Sequence, residues 1–124
     1  MDPIADMLVI IKNGYLSKKA SVVVPLSKSK LAIVKILERE KFVKKVNADK
    51  SNITVELLYA HQKGAISEIK RISKLGRRVY FKSKQIKPVK GGKGMIVVST
   101  YSGLMTGKEA KEKNLGGEVI CQVW

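Results

Sequence analysis

The chain has 124 residues, 44% of them hydrophobic, and its 25 Lys and Arg against 10 Asp and Glu leave a formal charge of +15. At this length folding buries roughly two-thirds of the unfolded surface, so one domain or two small lobes can form a core without staples. A small domain stays soluble with a net charge of about 2–8, so the excess points to a polyanionic partner whose phosphates release counterions when neutralised.

Asp2-Pro3 predicts a helix start, with Asp as N-cap and Pro in the first helical position. The opening Met1-Asp2-Pro3 is acidic, unlike the basic start of a signal peptide. Ile4, Met7, Leu8 and Ile11 mark one buried face, and Lys12, Lys18 and Lys19 lie towards the end, where cations complement the helix dipole. Val22-Val23-Val24-Pro25 predicts a short strand stopped by its proline. Ser27 or Ser29 caps a second helix, with Leu31, Ile33, Val34, Ile36 and Leu37 inside and Lys30, Glu38, Arg39 and Lys41 outside. Strands are expected over 42–46 and 53–59 around the turn-rich 47–52, the second alternating Ile53, Val55, Leu57 and Tyr59 with Thr54 and Glu56.

From Lys63 to Lys93 the chain holds eleven Lys or Arg and one acid, Glu68. Ile66, Ile69 and Ile72 fit a helix or a strand, and residues 78–81 read as a short strand. Pro88 and two glycines within 85–92 suggest the boundary between lobes. The expectation is an α+β protein of two lobes. Residues 1–84 form a helix-strand-helix-hairpin lobe, 85–124 a mostly β lobe with one short helix, and the basic segment 63–93 spans the junction.

Residues 94–110 carry the most informative stretch. Met95, Ile96, Val97 and Val98 predict a buried strand that leads into Ser99-Thr100-Tyr101-Ser102-Gly103. Thr106 and Glu109 then have the spacing of a capping box on a helix over 107–113. The polar loop between them offers hydroxyls that donate and accept, one ring, and no group that titrates near neutral pH. Such a loop suits recognition better than bond-making, although the same composition also makes ordinary turns. Asn114-Leu115-Gly116-Gly117 reads as the helix C-cap and turn, and 118–124 as a last strand with Val119, Cys121 and Val123 on one face.

Catalytic and metal sites find little support. The segment from Gly103 to Lys108 has three residues between its glycines and Glu109 after the lysine, so it lacks the spacing and the hydroxyl of a phosphate-binding P-loop. Gly91-Gly92-Lys93-Gly94 fails the dinucleotide spacing. His61 and Cys121 are too few nitrogen and sulfur ligands for a structural zinc. Cys121, in an apolar strand, reads as inert core, and His61 as a loop residue. One cysteine allows no internal disulfide and fits a reducing compartment. No apolar run approaches the roughly 20 residues of a membrane span. The expectation is a cytoplasmic protein with no enzymatic activity, no cofactor, no metal and no membrane partner.

The order of residues from Gly94 to Ala110 resembles the signature of the S-eight family of small-subunit ribosomal proteins, in its bacterial form. Asp2-Pro3-Ile4-Ala5-Asp6-Met7-Leu8 through Lys12-Asn13 is similar to its opening. Arg71-Ile72-Ser73-Lys74 with Gly76 and Arg78-Val79-Tyr80 is similar to its middle, and residues 115–121 to its ending. The resemblance implies a structural constituent of the small subunit that binds the central domain of 16S-type rRNA and helps assemble the subunit platform beside neighbouring proteins. Some bacterial members also bind and repress their own mRNA. By the same resemblance Ser99, Thr100 and Gly103 face an irregular RNA helix, with Tyr101 and Ser102 in the same loop, and Glu118 approaches it from the last strand. Arg78 and Tyr80, with Lys82 and Lys84, would hold the backbone, and Lys28 and Lys30 at the second helix complete the expected set.

Three departures mark this chain. Tyr101-Ser102 stands where Ser-Lys or Pro-Lys is usual, Leu75 replaces a proline, and Ile10 sits where arginine is common. The ring of Tyr101 can stack on an exposed base or pack back on the protein, against Trp124. The competing expectation is a non-ribosomal basic RNA- or DNA-binding protein that depends on charge and shows little preference among nucleic acids.

Overall fold

The structure is a computed structural model that describes residues 2–124; Met1, part of the acidic opening, lies outside the described residues. The fold is α+β, as expected, in two compact units that divide between Ser67 and Glu68.

In the first unit, α1 (Pro3–Leu16) starts where its cap predicts: the Asp2 carboxylate accepts the Ala5 N–H at 3.2 Å. Met7, Leu8 and Ile11 are buried, and the stripe continues one turn further to Tyr15. The helix ends at Leu16, so Lys18 and Lys19 lie beyond it and its last turn holds no cation for the dipole. Strand β1 (Ser21–Pro25) alternates Val22 and Val24 inward. Helix α2 (Lys28–Arg39) is capped by Ser27, whose hydroxyl accepts the Lys30 N–H at 3.3 Å. Lys30 is 7% exposed, not outward as expected. It sits three residues before Ile33 and four before Val34, on the buried stripe, where a lysine stem can pack.

The hairpin of this unit is β2 (Lys45–Ala48) and β3 (Asn52–Glu56), antiparallel in the order β1-β3-β2. It starts later than 42–46 because Lys41 turns through φ 64° and Val43 goes into the core. Strands β4 (Tyr59–Ala60) and β5 (Lys63–Gly64) close on His61 and Gln62, both left-handed, as a type I′ turn requires. Tyr15 ties the unit together. Its hydroxyl donates to the Phe42 carbonyl at 2.6 Å and accepts the Leu58 N–H at 3.1 Å, and its ring meets Tyr59 edge-on at 5.4 Å.

The second unit is one antiparallel sheet with a short helix. Its strands are β6 (Ile69–Arg71), β7 (Tyr80–Phe81), β8 (Met95–Thr100), β9 (Gly103–Thr106) and, after α3 (Gly107–Glu112), β10 (Gly117–Val123). Strand β10 lies between β8 on one side and β6 and β7 on the other, with β9 outside β8. The pairing of β6 and β7 to β10 moves residues 68–84 out of the N-terminal lobe to which the sequence assigned them. Nor is 85–92 a loose linker: Ile86 and Val89 are buried between two 3₁₀ turns, Ser83–Gln85 and Lys90–Gly92. Ile66, Ile69 and Ile72 lie on no helix.

Helix α3 has the expected capping box. Thr106 Oγ1 accepts the Glu109 N–H and Glu109 Oε1 accepts the Thr106 N–H, both at 3.1 Å. The core of this unit is Ile86, Val89, Ile96, Val98, Met105, Ala110 and Val119. Between Val119 and Cys121 the register with β8 shifts, so that Val119 faces Val98 while Cys121 faces Val97. Ile120 is the extra residue of a β-bulge. Val119 therefore lies on the opposite face from Cys121 and Val123, not on their face as strict alternation predicts.

Candidate nucleic-acid interface

Ser99 and Thr100 are not loop residues. They end β8, and only Tyr101 and Ser102 remain as the turn of a tight hairpin to β9. β-Branched Thr100 suits a ladder, and Gly103 supplies the φ of +115° that the turn needs. The Thr100 hydroxyl donates to the Gly103 carbonyl at 2.9 Å and accepts the Ser102 N–H at 3.1 Å. With Thr100 8% exposed, its hydroxyl closes the turn and is not displayed. Tyr101 is 91% exposed at the tip, so its ring does not pack on Trp124. Trp124 instead lies against the core and carries the Lys90 ammonium 4.9 Å from its ring centre.

The register brings four strands into one row: Tyr80 faces Glu118, Glu118 faces Ser99, and Ser99 faces Leu104. Successive paired residues in a ladder share a face, so these side chains line one side of the sheet. Tyr80 is 66% exposed there, and Ser99, Glu118 and Leu104 are half-buried. Gly117 keeps the strands close at this end, since an added Cβ would collide with the Ser99 carbonyl oxygen.

Glu118 is the most tightly bonded member of the row. Its Oε2 accepts from Ser73 Oγ at 2.5 Å and from Arg78 Nη1 at 3.0 Å. Ser73, itself buried, accepts the Val79 N–H at 3.2 Å. The Ser73 hydroxyl foremost, and then Arg78, hold the Glu118 carboxyl below the usual carboxylate range against the opposing effect of partial burial. Arg71 Nη1 donates to the carbonyl of Ile120 at 2.7 Å, bracing the bulge.

Lys82, which precedes the 3₁₀ turn after β7, and Lys84 within it are exposed, in the same unit as the row. Residues 68–124 carry thirteen Lys or Arg against four Glu, so the row sits in a basic unit. Lys28 and Lys30 belong to the other unit; Lys28 is exposed at the first turn of α2, and Lys30 is buried. Cys121 is fully buried and its thiol is pushed up to about 12 by desolvation, so it is no nucleophile at neutral pH. His61 is exposed in its turn. Among the described residues no helix is long and apolar enough to cross a membrane, and no group of three or more His, Cys, Asp or Glu could hold a metal ion.

A profile of the family described as Ribosomal protein S8 matches residues 2–124. The chain belongs to the ribosomal protein S8 family. Small ribosomal subunit protein uS8 of Oleidesulfovibrio alaskensis is 46% identical over 123 residues, covering 99% of this chain and 98% of the relative. The protein of the same name from Nitratidesulfovibrio vulgaris strain Miyazaki F is 42% identical with the same coverage. That of Dictyoglomus turgidum is 44% identical over 127 residues, covering 99% of this chain and 97% of the relative. The S8 family consists of structural ribosomal proteins and not of enzymes. Of the residues that the resemblance singled out, the fold brings Ser99, Glu118, Tyr80 and Arg78 together and sets Tyr101 and Ser102 at the adjoining tip. Ser73 and Arg71, absent from that set, brace it. Neither has a local signal as a brace, because their partners lie 45 and 49 residues away.

Proposed function

We propose that this S8-family protein is a constituent of the small ribosomal subunit that binds the central domain of its rRNA through the open end of the second unit's sheet. The single observation that carries the reading is the row Tyr80–Glu118–Ser99 beside the exposed Tyr101, on a strongly basic unit. Double-stranded RNA offers a shallow minor groove lined with 2′-hydroxyls, whereas distorted sites expose bases to rings and hydrogen-bonding groups. The Ser99 hydroxyl and the two exposed rings suit a distorted helix, with Tyr101 stacking on an unpaired base. Arg78, Lys82 and Lys84 suit its phosphates, positioning the RNA without reading sequence. As a constituent of the ribosome, the protein works in the cytoplasm beside other small-subunit proteins. An mRNA that folds into the same distorted helix is an equivalent ligand, so repression of the protein's own message follows wherever that message carries such a helix.

The test has two arms. In a lysate fractionated at moderate salt, the protein is expected to co-sediment with small subunits. In vitro it is expected to prefer a transcript of the rRNA central domain to an unrelated duplex of equal length. Equal affinity for both, with loss from subunits at moderate salt, would instead identify a charge-driven binder without a ribosomal site.

A further inference from the structure

We infer that Glu118 is a positioning residue, which holds the Arg78 guanidinium ready for an RNA phosphate and does not itself touch RNA. The inference rests on the RNA-binding surface proposed above. A carboxylate at a surface for a polyanion repels its ligand, so the position of Glu118 in the row calls for a cause.

Its bonds supply one. One carboxylate oxygen accepts from both Ser73 and Arg78, and Ser73 in turn accepts the N–H of Val79. The carboxylate is thus tied to both ends of the short segment that carries the arginine. Lys74 and Arg77 exchange backbone hydrogen bonds at 2.9 and 3.0 Å, closing the segment into a tight turn. Within that turn Lys74, Leu75, Gly76, Arg77 and Arg78 are all exposed. A guanidinium has five N–H donors in a rigid fork, so the bond to Glu118 leaves donors for a phosphate. The lowered carboxyl pKa keeps the clamp charged near neutrality. Ordering one rotamer-rich side chain before binding is worth about 2- to 10-fold in affinity.

Glu118→Gln removes the negative charge and keeps the shape. Simple repulsion predicts tighter RNA binding. Positioning predicts binding to the central-domain transcript about 2- to 10-fold weaker, with the loss absent or reversed in an Arg78→Gln background. Tighter or unchanged binding overturns the inference. So does an equal loss in both backgrounds, because the carboxylate would then touch RNA itself. Binding is read well below each variant's melting midpoint. A second measurement needs no variant and no RNA: in the free wild-type protein, the Arg78 Nε–H is expected to be more ordered by NMR relaxation than that of Arg77. Equal order overturns the clamp even if Glu118→Gln does not fold. Failure of the wild-type protein to prefer the rRNA transcript would instead count against the proposed function.

Discussion

The two units spend their tyrosines in opposite ways. In the first, the Tyr15 hydroxyl turns inward and satisfies backbone groups of two segments, Phe42 and Leu58. In the second, Tyr80 and Tyr101 stand in solvent on strands and a turn that need neither ring for their own closure. A buried phenol bonded at both ends is part of the packing. An exposed ring on a rigid hairpin adds nothing to the core and is available to a ligand. The contrast separates residues that make the fold from residues that the fold presents.

Substitutions can break or sharpen that contrast. The largest effect is expected from Tyr15→Ala, about 3–5 kcal/mol of stability for a buried aromatic, with RNA affinity unchanged while the protein is folded. A matching loss of affinity in the folded variant would end the separation. Thr100→Val keeps shape but removes the hydroxyl that closes the turn, and should cost about 1–3 kcal/mol of stability, read by denaturant melting. Ser99→Ala should do the reverse, lowering rRNA affinity with little change in melting. Tyr101→Ser is expected to lose about 1–3 kcal/mol of binding, the worth of one stacked base. Tyr101→Phe should keep most of it, and neither should shift the melting temperature.

A smaller change is expected on replacing Lys82 and Lys84 by Gln. Affinity for specific and unrelated RNA should fall alike, and the salt dependence should flatten by roughly 0.7–0.9 for each phosphate that is no longer neutralised. An unchanged slope would assign both lysines to solvent. The smallest effect concerns pH. The folded-state pKa of Glu118 lies below its unfolded value, so its contribution to stability is fully present above the unfolded value. That contribution is lost as pH falls through the folded value. On acidification below about pH 4.3, the ordinary value for glutamate, the wild type should therefore lose more stability than Glu118→Gln, by parallel urea titrations.

What is legible in the sequence follows the range of the forces involved. Helix caps at Asp2, Ser27 and the Thr106/Glu109 pair act within three residues, and all are present. The α+β class and the two units are equally plain from periodicity. Strand ends are less so, because turns such as Lys41–Lys44 depend on where Val43 finds core. The boundary near residue 85 fails for a similar reason. Pro88 and the glycines read as loosening, yet pairing to β10 decides which unit owns 68–84. Thr100 passes for a recognition hydroxyl since composition does not tell which oxygen a turn consumes. Tyr15 is readable, four residues beyond Ile11 on the same stripe, as is Lys30. The bond between Ser73 and Glu118 is not, because nothing local links residues so far apart.

The bulge at Ile120 has a consequence for how the chain can change length. Upstream of it, β10 turns Glu118 to the open side; downstream, Cys121 and Val123 take that same side as buried residues. Deleting one residue between them would restore strict alternation and still leave Glu118, Cys121 and Val123 on one side, at the loss of the buried Ile120 side chain and of the carbonyl that Arg71 Nη1 holds. The bulge can therefore disappear together with one residue and leave the two faces of the last strand as they are, so a strand one residue shorter is a change of length that this sheet can absorb.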